Sequence, residues 1–120
     1  MVRTEYILGS DIGTSGCKTI IFDTNGNYVG SASQPYRTIS LKPGWAEQNP
    51  EDWYDAFKTT VKNLLSKHEI HGTEIVSLGL DGMMNSPTFL DKSNSIIRSS
   101  IIWMDQRSEP QAEYEEKYVP

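Results

Sequence analysis

The stretch Gly9-Ser-Asp-Ile-Gly-Thr-Ser-Gly-Cys-Lys-Thr-Ile-Ile-Phe-Asp23, GSDIGTSGCKTIIFD, decides how the chain is read. It starts inside a first apolar run, Tyr6–Asp11, that ends in a carboxylate. The small residues Gly13, Thr14, Ser15 and Gly16 make a polar break. A second run, Lys18–Asp23, is rich in β-branched side chains and reads as a strand. Asn25-Gly26 follows, a strong short-range hairpin signal, and Tyr28–Gln34 fits a third strand. The chain is therefore expected to open as an antiparallel three-strand meander, with tight turns near 12–17 and 24–27.

Outward from the meander, Pro35–Asn49 is irregular, with Pro43-Gly44 marking a turn. A helix start follows, with Asn49 as N-cap, Pro50 as the first helical residue, and Glu51 and Asp52 in the first turn. Trp53, Phe57, Val61, Leu64, Leu65 and His68 recur at helical spacing, so one face is apolar and Trp53 and Phe57 are read as core. Gly72 ends that segment. Glu74–Leu80 reads as a fourth strand, followed by a break at 82–85. Pro87–Asp91 and Ser100–Met104 read as two more strands joined through Lys92–Ser95, and 108–118 as a helix. The order βββ, α, β, ββ predicts an α/β fold with a mixed sheet.

The 120 residues suit one domain of ordinary size, and a 10% share of aromatics supplies core material without covalent staples. The net charge is −5 and the eleven Lys and Arg are scattered, so no basic stripe offers a nucleic-acid surface. No apolar run approaches the ~18 residues of a membrane span. The opening Met-Val-Arg-Thr-Glu carries no leader signal. The single cysteine, Cys17, excludes an internal disulfide. Together these features predict a cytoplasmic protein without nucleic-acid or membrane partners.

The hairpin turn carries the chemistry. Gly13 and Gly16 are expected to take backbone conformations closed to bulkier residues. Successive N–H groups and the Thr14 and Ser15 hydroxyls would then face one concavity suited to phosphate oxygens. Asp11 beside them would repel a bare phosphate, which points to a divalent cation, or a water on it, in between. Lys18 adds a mobile positive charge. The competing reading is a plain hairpin turn. A P-loop and a dinucleotide fingerprint are both absent. His68 and His71 lack the spacing and partners of a zinc site, and Asp23–Asn27 lacks the central Gly and terminal Glu of a calcium loop.

Four blocks in order, DIGTSGCKTIIFD, GWAEQNPEDWYDAF, GLDGMMNSPTFLD and IIWMDQR, resemble the N-terminal domain of the FGGY family of carbohydrate kinases, and most closely its xylulokinase-like members. The resemblance covers nearly the whole chain. It implies a ribonuclease H-like, actin-like ATPase domain, of which residues 1–120 are a partial N-terminal piece lacking its remainder and the C-terminal domain. It implies transfer of the ATP γ-phosphoryl group, with Mg2+, to a hydroxyl of a sugar or polyol, most readily a pentulose. By position, Asp11 would act near the magnesium, through water, and the γ-phosphate. Gly13, Thr14, Ser15 and Lys18 would bind the phosphates. Met84, Asn85, Trp103 and Asp105 would meet the sugar, with Arg107 pairing locally.

Two departures matter. Xylulokinases usually read Gln-Met-His where this chain has Met83-Met84-Asn85, so the sugar-facing partner changes shape and cannot be protonated. The main catalytic base and the adenine site of the family lie further along its chains, so these residues alone are expected to be inactive. Uncovered sheet edges and apolar faces predict that the piece self-associates as a homodimer. An alternative class is an actin-like or heat-shock-chaperone-like nucleotide switch without a sugar substrate.

Overall fold

The hairpin forms with Asp11 directly opposite Lys18 and Ile12 opposite Cys17. In the computed structural model, which describes residues 4–119, the elements along the chain are β1 (Tyr6–Ile12), β2 (Gly16–Asp23), β3 (Tyr28–Pro35), β4 (Glu47–Gln48), α1 (Pro50–Lys67), β5 (Ile75–Gly82), β6 (Ser100–Ile101) and α2 (Glu109–Tyr118). Met1, Val2 and Arg3, read above for a leader signal, lie outside the described residues. Two compact units form. One runs through Tyr36 and resumes at Glu51–Met83, and the other comprises Arg37–Pro50 and the residues from Met84 onward.

The first unit is a four-stranded sheet in the order β3-β2-β1-β5, with β5 parallel to β1 and the other neighbours antiparallel. Side chains alternate across it. Leu8, Ser10, Cys17, Thr19 and Ile21 are buried, whereas Ile7, Asp11, Lys18 and Phe22 face outward. The helix α1 covers the buried face. Its most enclosed residues are Ala56, Thr60 and Leu64, one stripe at i, i+4 spacing. Trp53 and Phe57 sit beside that stripe and are half-buried. Leu8, Ile21, Leu64 and Ile70 make the apolar core, each worth about 1.5–3 kcal/mol on full burial. Val76, Leu78 and Leu80 of β5 remain exposed.

A chain of buried hydroxyls crosses this core. The Thr60 Oγ1 hydroxyl donates to the carbonyl of Phe57 at 2.9 Å. Having only one proton, it must accept from Thr19, 2.7 Å away. Thr19 in turn accepts from Ser10 at 2.7 Å. The order Ser10 to Thr19 to Thr60 to Phe57 satisfies every donor and ties β1, β2 and α1 together.

Two turns share one device. Asp23 Oδ1 accepts from the N–H groups of Asn25 and Asn27, and Asp91 Oδ1 from those of Ser93 and Ser95. The residue three positions after each aspartate, Gly26 or Asn94, has positive φ, which Gly and Asn tolerate best. The DTNGN stretch is thus a turn, as expected.

Gly13 and Gly16 differ from expectation, since neither has positive φ. Gly16 is required for another reason. A Cβ there would lie 2.6 Å from the Gln34 carbonyl oxygen and 2.9 Å from the Pro35 Cα, both backbone atoms of β3.

The second unit is built around GWAEQ. β4 pairs antiparallel with β6, and Ile39 bridges to Glu47. Glu47 is buried and accepts from Arg98 Nη2 at 2.6 Å and Arg107 Nη2 at 2.9 Å. The Asp105 carboxylate accepts from Ala46 N–H at 2.6 Å and from three N–H groups of Arg107 at 2.7–2.9 Å. The Arg107 guanidinium, 3.8 Å from the Trp45 ring centre, completes the stack. Its hydrogen bonds hold the Asp105 carboxyl well below the usual carboxylate range. Two strand expectations fail here. Pro87–Asp91 is no strand and makes only a Leu90–Ile96 bridge, because Pro87 and the Asp91 turn interrupt pairing. Ser100–Met104 yields only Ser100–Ile101 before the chain turns. The pair β4 was not foreseen, since two residues carry no periodicity.

Replacing Gly16 by Ala should cost about 1–3 kcal/mol of unfolding free energy by overpacking against fixed backbone. Gly9→Ala, with nothing within 4 Å of the added methyl, should cost far less, and urea denaturation of both variants checks the contrast. For Asp105 the lowered folded pKa means stabilisation that is complete above the unfolded value near 4 and lost as pH falls below it. Urea midpoints at pH 7 and pH 3 should therefore fall less in Asp105→Asn than in the wild type, starting from a less stable protein.

Candidate functional site

β1 is a central strand of the first unit, paired to β2 and β5, and its register sets the chemistry at one end of the sheet. Asp11 is paired across to Lys18 on β2 and alongside to Asp81 on β5. Cross-strand partners point to the same face, so all three occupy the uncovered face. They line one shallow pocket of about 530 Å3 together with Gly9, Ile20 and Phe22. Asp81 was missed in the sequence. The available signal was an echo, Leu8-Gly-Ser-Asp11 and Leu78-Gly-Leu-Asp81, which pair residue for residue.

The hairpin tip consists of Thr14 and Ser15. The Gly13 N–H donates to the Gly16 carbonyl at 3.1 Å and closes the turn. That donor faces inward, so Gly13 shapes the tip and does not present its amide to a ligand. Among the successive N–H groups expected to face one concavity, that of Gly13 is thus taken up within the turn. Tyr36, not singled out in the sequence, borders the tip on both sides. Its hydroxyl donates to the Gly13 carbonyl, and its N–H donates to the Ser15 carbonyl at 3.4 Å.

Hard carboxylate oxygens at Asp11 and Asp81 suit magnesium, which takes one or two protein carboxylates and completes its shell with water and phosphate. Among the described residues no group of three or more His, Cys, Asp or Glu forms a metal cage, consistent with such a sparse donor set. The residues present fit a magnesium–nucleotide complex in that sense.

In the second unit, Asn85, Trp103, Asp105 and Arg107 line a separate pocket of about 360 Å3, with Pro87 and Phe89. Trp103 is 57% exposed and Met84 82% exposed, so neither is core. Met83, the last residue of the first unit, is half-buried. Ser86 Oγ donates to the Met84 carbonyl and accepts from Trp103 N–H at 3.3 Å, linking the two segments. Asn85 has φ of 52°, a left-handed conformation that Asn tolerates. Asp105 is a correction. Both its oxygens are fully engaged by Arg107 and Ala46, leaving no lone pair for a sugar hydroxyl. Its side chain is 3% exposed. Arg107 pairs locally, as expected.

Residues 6–118 match the FGGY family of carbohydrate kinases, N-terminal domain. The xylulose kinase of Bacillus subtilis strain 168 is 35% identical over 107 residues, covering 89% of this chain and 21% of the relative. The glycerol kinase of Mycoplasma genitalium is 30% identical over 108 residues, covering 89% of this chain and 21% of the relative. A solved gluconate kinase from Lactobacillus acidophilus superposes with a TM-score of 0.88 at 30% identity, covering 95% of this chain and 23% of that one. The chain thus spans about a fifth of the length of the curated relatives it matches. Its four-stranded mixed sheet is that of the ribonuclease H-like, actin-like ATPase fold shared by these kinases. With the match running across both units, the chain belongs to the FGGY family of carbohydrate kinases.

Proposed function

We propose that the whole protein transfers the γ-phosphoryl group of ATP to a hydroxyl of a sugar or polyol. One observation carries this reading. In a chain of this family, the Thr14–Ser15 tip and the Asp11–Lys18–Asp81 face belong to the same sheet end.

The roles follow from chemistry. The Thr14 and Ser15 hydroxyls would meet phosphate oxygens, with Gly13 shaping their turn. Lys18 would offset phosphate charge. Asp11, through water, and Asp81 would hold the magnesium, which when bound neutralises charge on the transferring group. Phosphoryl transfer rests on positioning and charge stabilisation. The base that takes the hydroxyl proton is proposed to lie outside these residues, so the 120-residue piece alone should not turn over.

The relatives act on xylulose, glycerol and gluconate according to their names. We place a pentulose first among the substrates of this protein. Trp103 would offer a flat apolar face to the sugar and Met84 a soft one. Asn85 would supply both a donor and an acceptor without changing charge with pH. Asp105 is assigned as a positioning residue that acts through Arg107. The proposed setting is the cytoplasm, where a lone thiol such as Cys17 stays reduced.

The test is ADP release by the full-length protein with Mg2+–ATP and a panel of pentuloses, hexuloses and polyols. Release should depend on one sugar, and Asp11→Asn should lower kcat for it by about 10²-fold or more with the sugar KM little changed. ADP release independent of every sugar would favour a nucleotide switch.

A further inference from the structure

A hairpin tip that is to hold phosphates must itself be held, since a misplacement of about 1 Å can cost 10²-fold in rate. Backbone pairing supplies only part of that hold. The hairpin's last ladder pair is Ile12 with Cys17, and beyond it the turn is closed through the Gly13 N–H to the Gly16 carbonyl. The Gly13 carbonyl accepts from the Tyr36 hydroxyl, and the Ser15 carbonyl accepts from the Tyr36 N–H. Tyr36 immediately follows Pro35, the last residue of β3, which pairs with Gly16. Its backbone is thus fixed by the sheet while its half-buried ring reaches back to the far side of the tip.

We propose that Tyr36 is a positioning residue for phosphoryl transfer, clamping both flanks of the Thr14–Ser15 tip through its hydroxyl and its amide. This rests on the function proposed above. The clamp is independent of working pH. Burial, with the Cys17 and Asp11 groups nearby, pushes the phenol up to about 12, so the hydroxyl keeps its proton and remains a donor. The tip also has little room to relax by other means, because Gly16 is pressed against the β3 backbone. Loss of the hydroxyl would therefore loosen the Gly13 side of the tip while β3 pairing and ring packing persist.

The experiment uses the full-length protein and Tyr36→Phe, which keeps the ring and removes only the donor. Two readouts are taken. Hydrogen–deuterium exchange without nucleotide should speed up by about tenfold at the Gly13 and Tyr36 amides, which donate to the Gly16 and Ser15 carbonyls across the tip, with exchange in α1 unchanged. Steady-state kinetics should show kcat/KM for Mg2+–ATP lowered about tenfold, with the KM of the sugar that supports wild-type turnover changed less than twofold. Tip exchange equal to wild type, unchanged ATP kinetics, or equal losses for ATP and sugar would each overturn the clamp. If the wild type phosphorylates no sugar in the panel, the phosphoryl-transfer reading fails and this inference fails with it. An active wild type with an indifferent Tyr36→Phe sinks the inference alone.

Discussion

The register of β1 is the constraint on which the rest depends. This strand is paired antiparallel to β2 and parallel to β5 at once. Because side chains alternate with a period of two, a slip by one residue would exchange the faces. Leu8 would lose its place beside Ile21 and Leu64, and Asp11 would turn toward α1 as an unpaired buried carboxylate. The Ser10–Thr19–Thr60 hydroxyl chain adds a second lock, since its 2.7 Å contacts exist only in this register. Packing, polar satisfaction and the placement of Asp11, Lys18 and Asp81 thus share one cause.

Four kinds of carboxylate environment show how one residue type is put to different uses. Asp23 and Asp91 each cap a turn through backbone N–H groups. Glu47 is a buried anchor for two arginines. Asp105 is saturated by Arg107 and Ala46 and fixes the fold of the second unit. Asp11 and Asp81 instead line an open pocket on the outward face. A carboxylate fully bonded within the protein stabilises structure, while one left facing solvent beside a lysine is available for chemistry.

Local signals were readable where they depended on residues close in sequence. The Asn-Gly turn, the Asn49-Pro50 helix start and the β-branched run Lys18–Asp23, which lies within β2, all formed as read. That Asp11, Thr14, Ser15 and Lys18 share one hairpin was legible because they are close in sequence. Features set by distant pairing were not. Asp81 gains meaning only when β5 lies parallel to β1, and β4 exists only because Ser100–Ile101 returns to it. Gly16 looked like a conformational glycine, whereas the close approach of Gln34 and Pro35 requires it. Pro87–Asp91 has strand-like composition, but no neighbouring strand is there to pair with most of it.

The most direct measurement is a crystal structure of the full-length protein with Mg2+ and a non-hydrolysable ATP analogue. The terminal phosphates should lie within about 3 Å of donors on Thr14 or Ser15, with the cation on the Asp11 side of them. Phosphates bound away from the 13–16 tip, with Asp11 remote from the cation, would contradict a phosphate-holding role for this hairpin.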